Sequence, residues 1–108
     1  MNFFDSKNAK TAHLPGNIVR KVLAYSDDVM TTYWEVPAGS VIPPHQHPHE
    51  QFSIVISGSA EYTIGGEKHL LQAGDSCVMP PNVPHNVNCI ENLVAIDIFA
   101  PIRKDFLE

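Results

Sequence analysis

Turn-forming residues divide this chain into short segments along its whole length. Nine prolines and six glycines are spread over 108 residues, and no useful stretch shows the 3.6-residue apolar period of an amphipathic helix. The segments between the turns contain many β-branched and aromatic residues, which pack well on a pleated sheet. Eight or nine short strands at this spacing predict an all-β protein with a closed or sandwiched antiparallel sheet.

The individual strands are predicted where apolar segments lie between turns. They cover residues 18–25, 29–36, 51–57, 60–64, 67–71, 76–79, 85–90 and 93–99. Gly65 and Gly66 predict a tight hairpin, whereas Gly58-Ser59 and Glu91-Asn92 are interpreted as connections between separate strands. The tail, residues 100–108, is compatible with a short turn of helix.

The length and composition predict a single ordered domain. A chain of 108 residues with 44% hydrophobic and 18% charged residues can form one modest core. Residues 1–16 are polar and end in a turn, so we expect an N-terminal arm there. Residues 17–108 are then expected to form a single barrel domain.

Charge and cysteine content restrict the possible partners. The net charge is −5 and lysine and arginine form no cluster, which argues against nucleic acid. An anionic substrate stays possible, because one arginine and a metal ion can hold a carboxylate. No apolar stretch approaches the ~20 residues of a membrane span, and the first residues do not resemble a signal peptide. We therefore expect a cytoplasmic protein with Cys77 and Cys89 as reduced thiols.

A histidine cluster is the strongest indication of chemistry. His45, His47 and His49 lie within five residues of one another, directly after Pro43 and Pro44 and just before a predicted strand. Two histidines one residue apart on an extended chain point the same way, and neutral imidazole is a common metal ligand near pH 7. The cluster therefore predicts a site for a divalent metal ion.

Two spaced motifs resemble those of the cupin family, small β-barrels with a metal site at the mouth. The first motif begins at Gly39 and ends at Gly58, with fixed spacings through His45, His47 and Gln51. The second begins at Gly74 and continues through Pro80, Asn82, His85 and Cys89, where Asn82 and Cys89 replace the family's glycine and asparagine. The resemblance implies a cupin (double-stranded β-helix, or jelly-roll) barrel.

The same resemblance implies a ligand set. It assigns His45, His47 and His85 to one divalent ion and places Gln51 where the family has a carboxylate. A glutamine oxygen can bind a cation but brings no charge, so the ion keeps its full positive charge. A one-residue shift would exchange Gln51 for Glu50. Three imidazoles and one oxygen suit Zn, Ni, Fe, Mn or Co.

The last predicted strand contains one charged residue. Residues 93–99 are apolar except for Asp97, which alternation places on the same face as Phe99. A buried carboxylate is costly unless it is paired or near a cation, so Asp97 is either a structural residue or part of the site. Arg103 follows closely enough to fold back over the opening, or else lies on the surface.

The residues from Asp97 to Arg103, together with the histidine stretch, resemble one cupin subgroup, the KdgF-like proteins of uronate breakdown. The resemblance implies that Asp97, Phe99 and Arg103 are catalytic or contact substrate. It also implies a homodimer that opens the ring of 4,5-unsaturated uronic acids, small anionic sugars from pectin and alginate, to linear keto sugars. Two alternatives stay open: another small-molecule cupin enzyme, such as an iron-dependent dioxygenase, and a non-enzymatic sugar- or metal-binding cupin.

Overall fold

A computed structural model describes residues 2–108, and nearly all of their regular structure is β-strand. The strands are β1 (Thr11–Leu14), β2 (Ile18–Tyr25), β3 (Met30–Val36), β4 (Val41–His45), β5 (Glu50–Ile64), β6 (Glu67–Gln72), β7 (Ser76–Met79) and β8 (His85–Ala100). Two short 3-10 turns cover Ser6–Asn8 and Lys104–Leu107. Among the helices described, none is long and apolar enough to cross a bilayer.

Two long strands, β5 and β8, belong to both layers of the fold. The first half of β5 pairs with β7 and with the second half of β8, which continues through β3 and β2 to β1. The second half of β5 pairs with β6 and with the first half of β8, which also pairs with β4. Every pairing is antiparallel, so the predicted all-β sandwich of antiparallel strands is confirmed.

The predicted breaks within β5 and β8 are wrong. Gly58 does not end a strand; β5 bends there, with register shifts between Val55 and Ala60. Gly58 has a φ of +81°, and a Cβ atom at this position would overlap the carbonyl oxygen of Asn92. The Glu91-Asn92 segment likewise stays within β8, because the two strands bend together where they cross.

Strand β4 was not predicted, because Pro43 and Pro44 lie within it. It pairs with β8 alone, and its register is broken between Ile42 and His45. Proline is compatible with an edge strand of this kind, where a missing N–H leaves no partner unsatisfied. Part of the predicted arm is also sheet, since β1 pairs with β2; the division into arm and barrel stays a prediction.

The core fills the space between the two layers. Inward residues alternate along β8, where Leu93, Ala95 and Phe99 are buried. A second, smaller cluster closes the barrel near the tail, with Phe106 packed among Val22, Met30 and Phe99. The C-terminal tail is therefore anchored beside the end of β8, and Arg103 lies between these two anchored points.

Candidate metal centre and active site

Three imidazoles meet at the mouth of the barrel. His45 ends β4 and lies opposite His85, the first residue of β8, while His47 follows in the connecting loop. The ring centroids of His45 and His85 are 4.3 Å apart, and those of His47 and His85 are 4.9 Å apart. One ligand atom from each of the three lies within 4.8 Å of the others.

The loops around the histidines are tied to each other by the backbone. Asn82 has a φ of +62°, a conformation that asparagine tolerates better than most residues. Its N–H donates to the carbonyl oxygen of His47 at 2.8 Å. Gly39 and Cys89 are joined in the same way, because the N–H of Gly39 donates to the carbonyl oxygen of Cys89 at 2.9 Å. Backbone hydrogen bonds therefore link the two histidine-containing motifs to each other.

A backbone carbonyl orients each imidazole. Nδ1 of His45 lies 2.9 Å from the oxygen of Pro43, and Nδ1 of His85 lies 3.0 Å from that of Val83. Nδ1 of His47 is 3.0 Å from the carbonyl oxygen of His49. A carbonyl only accepts hydrogen bonds, so each Nδ1 carries the proton and each Nε2 presents a lone pair.

These lone pairs form a donor set suited to a cation. Nε2 of His85 is buried and has no hydrogen-bond partner within residues 2–108, and burial lowers the pKa of this imidazole. Oε1 of Gln51 lies 2.9 Å from Nε2 of His47, so two acceptors face one another when His47 is neutral. A cation bound between these atoms would give Nε2 of His85 a partner and would attract both facing acceptors. The three histidines with Gln51 can therefore hold a divalent metal ion.

Gln51, rather than its neighbour Glu50, points inward. Gln51 is 8% exposed, whereas Glu50 lies on the outer face. The amide of Gln51 also connects the histidines to the carboxylate of Asp97, because its Nε2 donates to Oδ2 of Asp97 at 2.8 Å. This hydrogen bond directs Oε1 of the amide toward His47.

Asp97 is a buried carboxylate with two side-chain donors. Besides Gln51, Ser53 donates from its hydroxyl to Oδ1 of Asp97 at 2.6 Å. Burial raises the pKa of Asp97 to about 6, although both hydrogen bonds act in the opposite direction. The sequence pattern identified Asp97 itself, but Ser53 was missed because a serine on an inward strand face carries no distinctive signal.

Arg103 folds back over the site, held by its neighbours. Its guanidinium lies 5.3 Å from the ring centroid of Phe99 and 4.3 Å from that of Phe106. Nε and Nη2 donate to the carboxylate of Asp105 at 3.1 and 3.0 Å, and this pair lowers the pKa of Asp105. One bidentate edge of the guanidinium, formed by Nε and Nη2, is thus already used, which the sequence alone did not reveal.

A cavity of about 420 Å³ joins these groups, within the range of roughly 300–1,000 Å³ typical of small-molecule sites. The predicted site residues at its wall are His45, Gln51, His85, Asp97, Phe99 and Arg103. His47 adjoins them through Gln51. Most of the remaining lining is apolar, from residues such as Trp34 and Met79. The structure thus brings together every residue predicted for the site.

The remaining histidines lie outside this donor set. The ring of His49 is 5.3 Å from that of His47, and burial lowers the pKa of His49. His69 is exposed and pairs with Glu67 at 3.0 Å. Cys77 and Cys89 are free thiols.

Comparison with known proteins gives the family. The model of the cupin domain matches residues 32–99. The chain belongs to the cupin family. Over 97% of both chains it is 36% identical to the pectin degradation protein KdgF of Dickeya dadantii. It is also 33% identical, over 76% of its length, to the H2HPP isomerase of Bacillus subtilis, of which it spans only 36%.

Solved structures agree with this assignment. KdgF from Halomonas sp. superposes on this cupin with a TM-score of 0.89 at 33% identity, over 97% of each chain. The predicted cupin barrel and the resemblance to KdgF are therefore confirmed.

Proposed function

We propose that this cupin opens the ring of 4,5-unsaturated uronic acids to linear keto sugars, as part of pectin or alginate breakdown. The observation that carries the proposal is the position of Asp97. Its carboxylate shares one cavity with Arg103 and with His45 and His85, two of the three convergent imidazoles. The full-length similarity to KdgF, named for pectin degradation, supports the same substrate class.

The proposed metal ligands are Nε2 of His45, His47 and His85 and Oε1 of Gln51. When bound, a divalent ion there supplies a Lewis acid for a substrate oxygen. The chain's contribution is to present neutral imidazoles, each fixed through its Nδ1–H. Because the fourth ligand is an amide, the ligand set itself adds no negative charge that would repel an anionic sugar.

Arg103 is proposed to bind the substrate carboxylate. Since Asp105 accepts from Nε and from one hydrogen of Nη2, the substrate carboxylate is left with the charge of the guanidinium and the three N–H donors at its Nη1–Nη2 end. The rings of Phe99 and Phe106 hold the guanidinium in place from one side. Phe99 also gives the sugar an apolar wall.

Asp97 is proposed to move the proton. It takes the proton of the anomeric hydroxyl while the bond between C1 and the ring oxygen breaks, which yields an aldehyde at C1 and an enolate at C5. Returning this proton to C4 then converts the enolate to a ketone at C5. Product and substrate are isomers, so no co-reactant is needed, and a positioned proton-transfer group contributes on the order of 10²–10⁴-fold.

The test uses metal-loaded protein and unsaturated galacturonate or its alginate-derived analogue. Proton NMR follows loss of the C4 vinyl hydrogen, and the proposal requires a rate well above that in buffer. The Asp97→Asn variant should lose about 10²-fold or more of this rate while retaining its metal. Asp27→Asn, which removes an exposed carboxylate in a turn, is the matched control and should react as the wild type does. A wild-type rate equal to that in buffer refutes the proposal.

A second candidate is isomerisation of a different small anionic molecule. The similarity to H2HPP isomerase favours it over other cupin chemistry, since that relative is also named as an isomerase. The dioxygenase alternative predicts oxygen uptake by the iron-loaded protein, whereas both isomerisations predict none. A binding-only cupin predicts uronate binding without loss of the vinyl hydrogen.

We also propose a cytoplasmic homodimer. Phe52 and Val78 lie opposite one another on the outer sheet face, each 43% exposed, and Phe52 is also paired with Ile98. An apolar row of this kind suits contact with a second copy, and free thiols suit a reducing compartment. Light scattering on the eluting protein should give twice the chain mass, and Phe52→Glu should give the mass of one chain.

A further inference from the structure

Two buried hydroxyl groups lie next to Asp97 and are linked to Oδ1, the carboxylate oxygen that Gln51 does not contact. Ser53 is 1% exposed and Tyr62 is 4% exposed. The hydroxyl oxygen of Ser53 is 2.6 Å from Oδ1 of Asp97 and 2.9 Å from the hydroxyl of Tyr62. A serine hydroxyl has one proton to donate, and it donates this proton in its hydrogen bond to the carboxylate. The hydroxyl of Tyr62 must therefore be the donor to Ser53. The hydrogen bonds therefore run in one direction, from Tyr62 through Ser53 to Asp97.

The pair exists only because β5 is bent. Ser53 and Tyr62 are nine residues apart on the same strand, which in a straight strand places them about 30 Å apart and on opposite faces. The register shifts between Val55 and Ala60 change the sheet face on which the later side chains lie. The bend at Gly58 folds the second half of the strand over the first. Both side chains then point inward, and their oxygens meet.

The hydroxyl pair is poorly explained by packing alone. Within residues 2–108, Ser53 is the hydrogen-bond partner of the Tyr62 hydroxyl, and the surrounding core residues, such as Met79 and Val87, are apolar. Alanine and phenylalanine would fill the same space without burying two hydroxyl groups, which is costly unless they are paired. What the two hydroxyls add is a fixed donor aimed at one oxygen of Asp97.

We propose that Ser53 and Tyr62 are positioning residues that hold the carboxylate of Asp97 in the orientation needed for proton transfer. Ser53 fixes Oδ1 and Gln51 fixes Oδ2, so the carboxylate is held from both sides. Tyr62 acts through Ser53 and does not reach Asp97 itself. The role rests on the proposed function of Asp97.

The kinetic test is a double-mutant cycle on the metal-loaded protein. Ser53→Ala should lower kcat about 10- to 100-fold, the value of a hydrogen bond to a charged group. Tyr62→Phe should lower it less, by about 3- to 10-fold, with KM and metal content unchanged in both variants. Because Tyr62 acts through Ser53, the double variant should be no slower than Ser53→Ala. Tyr33→Phe, which removes the hydroxyl of an outer-face tyrosine bonded to Glu35, is the control and should leave kcat unchanged.

A second readout does not need turnover. The carboxyl carbon of Asp97, assigned in labelled protein by its loss in Asp97→Asn, should change its NMR chemical shift in Ser53→Ala and in Tyr62→Phe but not in Tyr33→Phe. If wild-type protein does not open the uronate ring, the proposed function fails and this shift alone decides the positioning role. An unchanged shift, a kcat unaffected by either substitution, or fully additive losses in kcat would each overturn the proposal.

Discussion

The two halves of the site are built in different ways. Each histidine of the metal centre is oriented by a backbone carbonyl only two residues away, as in His45 with Pro43 and His85 with Val83. Asp97 is oriented by side chains from far along the chain, Gln51 at 46 residues and Ser53 at 44 residues. The orientation of the histidines therefore depends on local backbone geometry. The orientation of Asp97 depends instead on the register and bend of β5.

The histidine contacts and the Asp97 contacts should respond differently when the strands shift. Local anchors survive small shifts of the barrel, because the histidine and its carbonyl move together. The anchors of Asp97 belong to a different strand, so a shift of β5 against β8 separates donor from acceptor. We therefore expect the three histidines to keep their orientation in β5 variants that abolish catalysis, apart from substitutions at Gln51, which is itself a proposed ligand.

The largest expected effect is that of a substitution at Gly58, where β5 bends. In Gly58→Ala, a Cβ atom overlaps the backbone of Asn92 and the residue must keep a φ of +81°. We expect a loss of about 4 kcal/mol or more in the free energy of unfolding, from backbone strain and overpacking together. Chemical denaturation followed by tryptophan fluorescence measures it.

Gly66→Ala is the matched control for that substitution. Gly66 has a similar φ of +85°, but nothing lies within 4 Å of a Cβ atom there. Its expected cost is only the left-handed backbone, about 1–2 kcal/mol. Equal losses at the two positions would show that the crossing of β5 over β8 is not the constraint.

A smaller effect, on metal affinity and on catalysis, is expected from Gln51→Glu. The substitution gives the metal a charged ligand, so metal affinity should rise, by about 10-fold. It also places a second carboxylate beside Asp97, where the amide of Gln51 now donates at 2.8 Å, and two carboxylates this close repel one another. We expect kcat to fall by about 10-fold or more, measured by vinyl-hydrogen NMR alongside a metal-competition titration.

Glu50→Gln makes a one-unit change in charge of the opposite sign on the outer face, and neither metal affinity nor kcat should respond. A Gln51→Glu variant with wild-type kcat would mean that Asp97 does not need the amide donor. The glutamine at this position would then have no catalytic advantage over a glutamate.

The smallest effect is expected from Asp105→Asn. Asp105 is exposed, at 57% of its side chain, and its pair with Arg103 is a surface ion pair, a class worth about 0.2–1 kcal/mol. Loosening the guanidinium should raise KM about 2- to 5-fold and leave kcat unchanged in steady-state assays. A lower KM would instead mean that Asp105 competes with the substrate for Arg103.

The same contrast explains what could be predicted from the sequence. The histidines are separated by fixed spacings, and their anchors are two residues away, so motif and alternation located them. Asp97 was found because it is the only charged residue in an apolar strand. Ser53 and Tyr62 were not found, since their contact arises from the bend, and Gly58 was interpreted as a turn between strands.

Irregularities in strands are the part that sequence patterns describe least well. A glycine marks a turn, a bulge or a bend equally well, and only the backbone of Asn92 against Gly58 decides among them. Strand β4 was absent from the predicted strands for a related reason, because two prolines lie within this edge strand. The structure places Arg103 at the cavity wall, and its engagement by Asp105, which depends on the turn of the tail, has no counterpart in the sequence pattern.

The most direct measurement of the central claim is turnover of unsaturated galacturonate by the metal-loaded protein in D₂O. If Asp97 moves the proton, proton NMR will show the vinyl hydrogen disappearing faster than in buffer and one deuteron added to a single face of C4. Asp97→Asn should slow the loss and give both C4 epimers in equal amounts. A wild-type rate equal to that of buffer would contradict ring opening by this cupin, and equal epimers from the wild type would contradict proton delivery by Asp97.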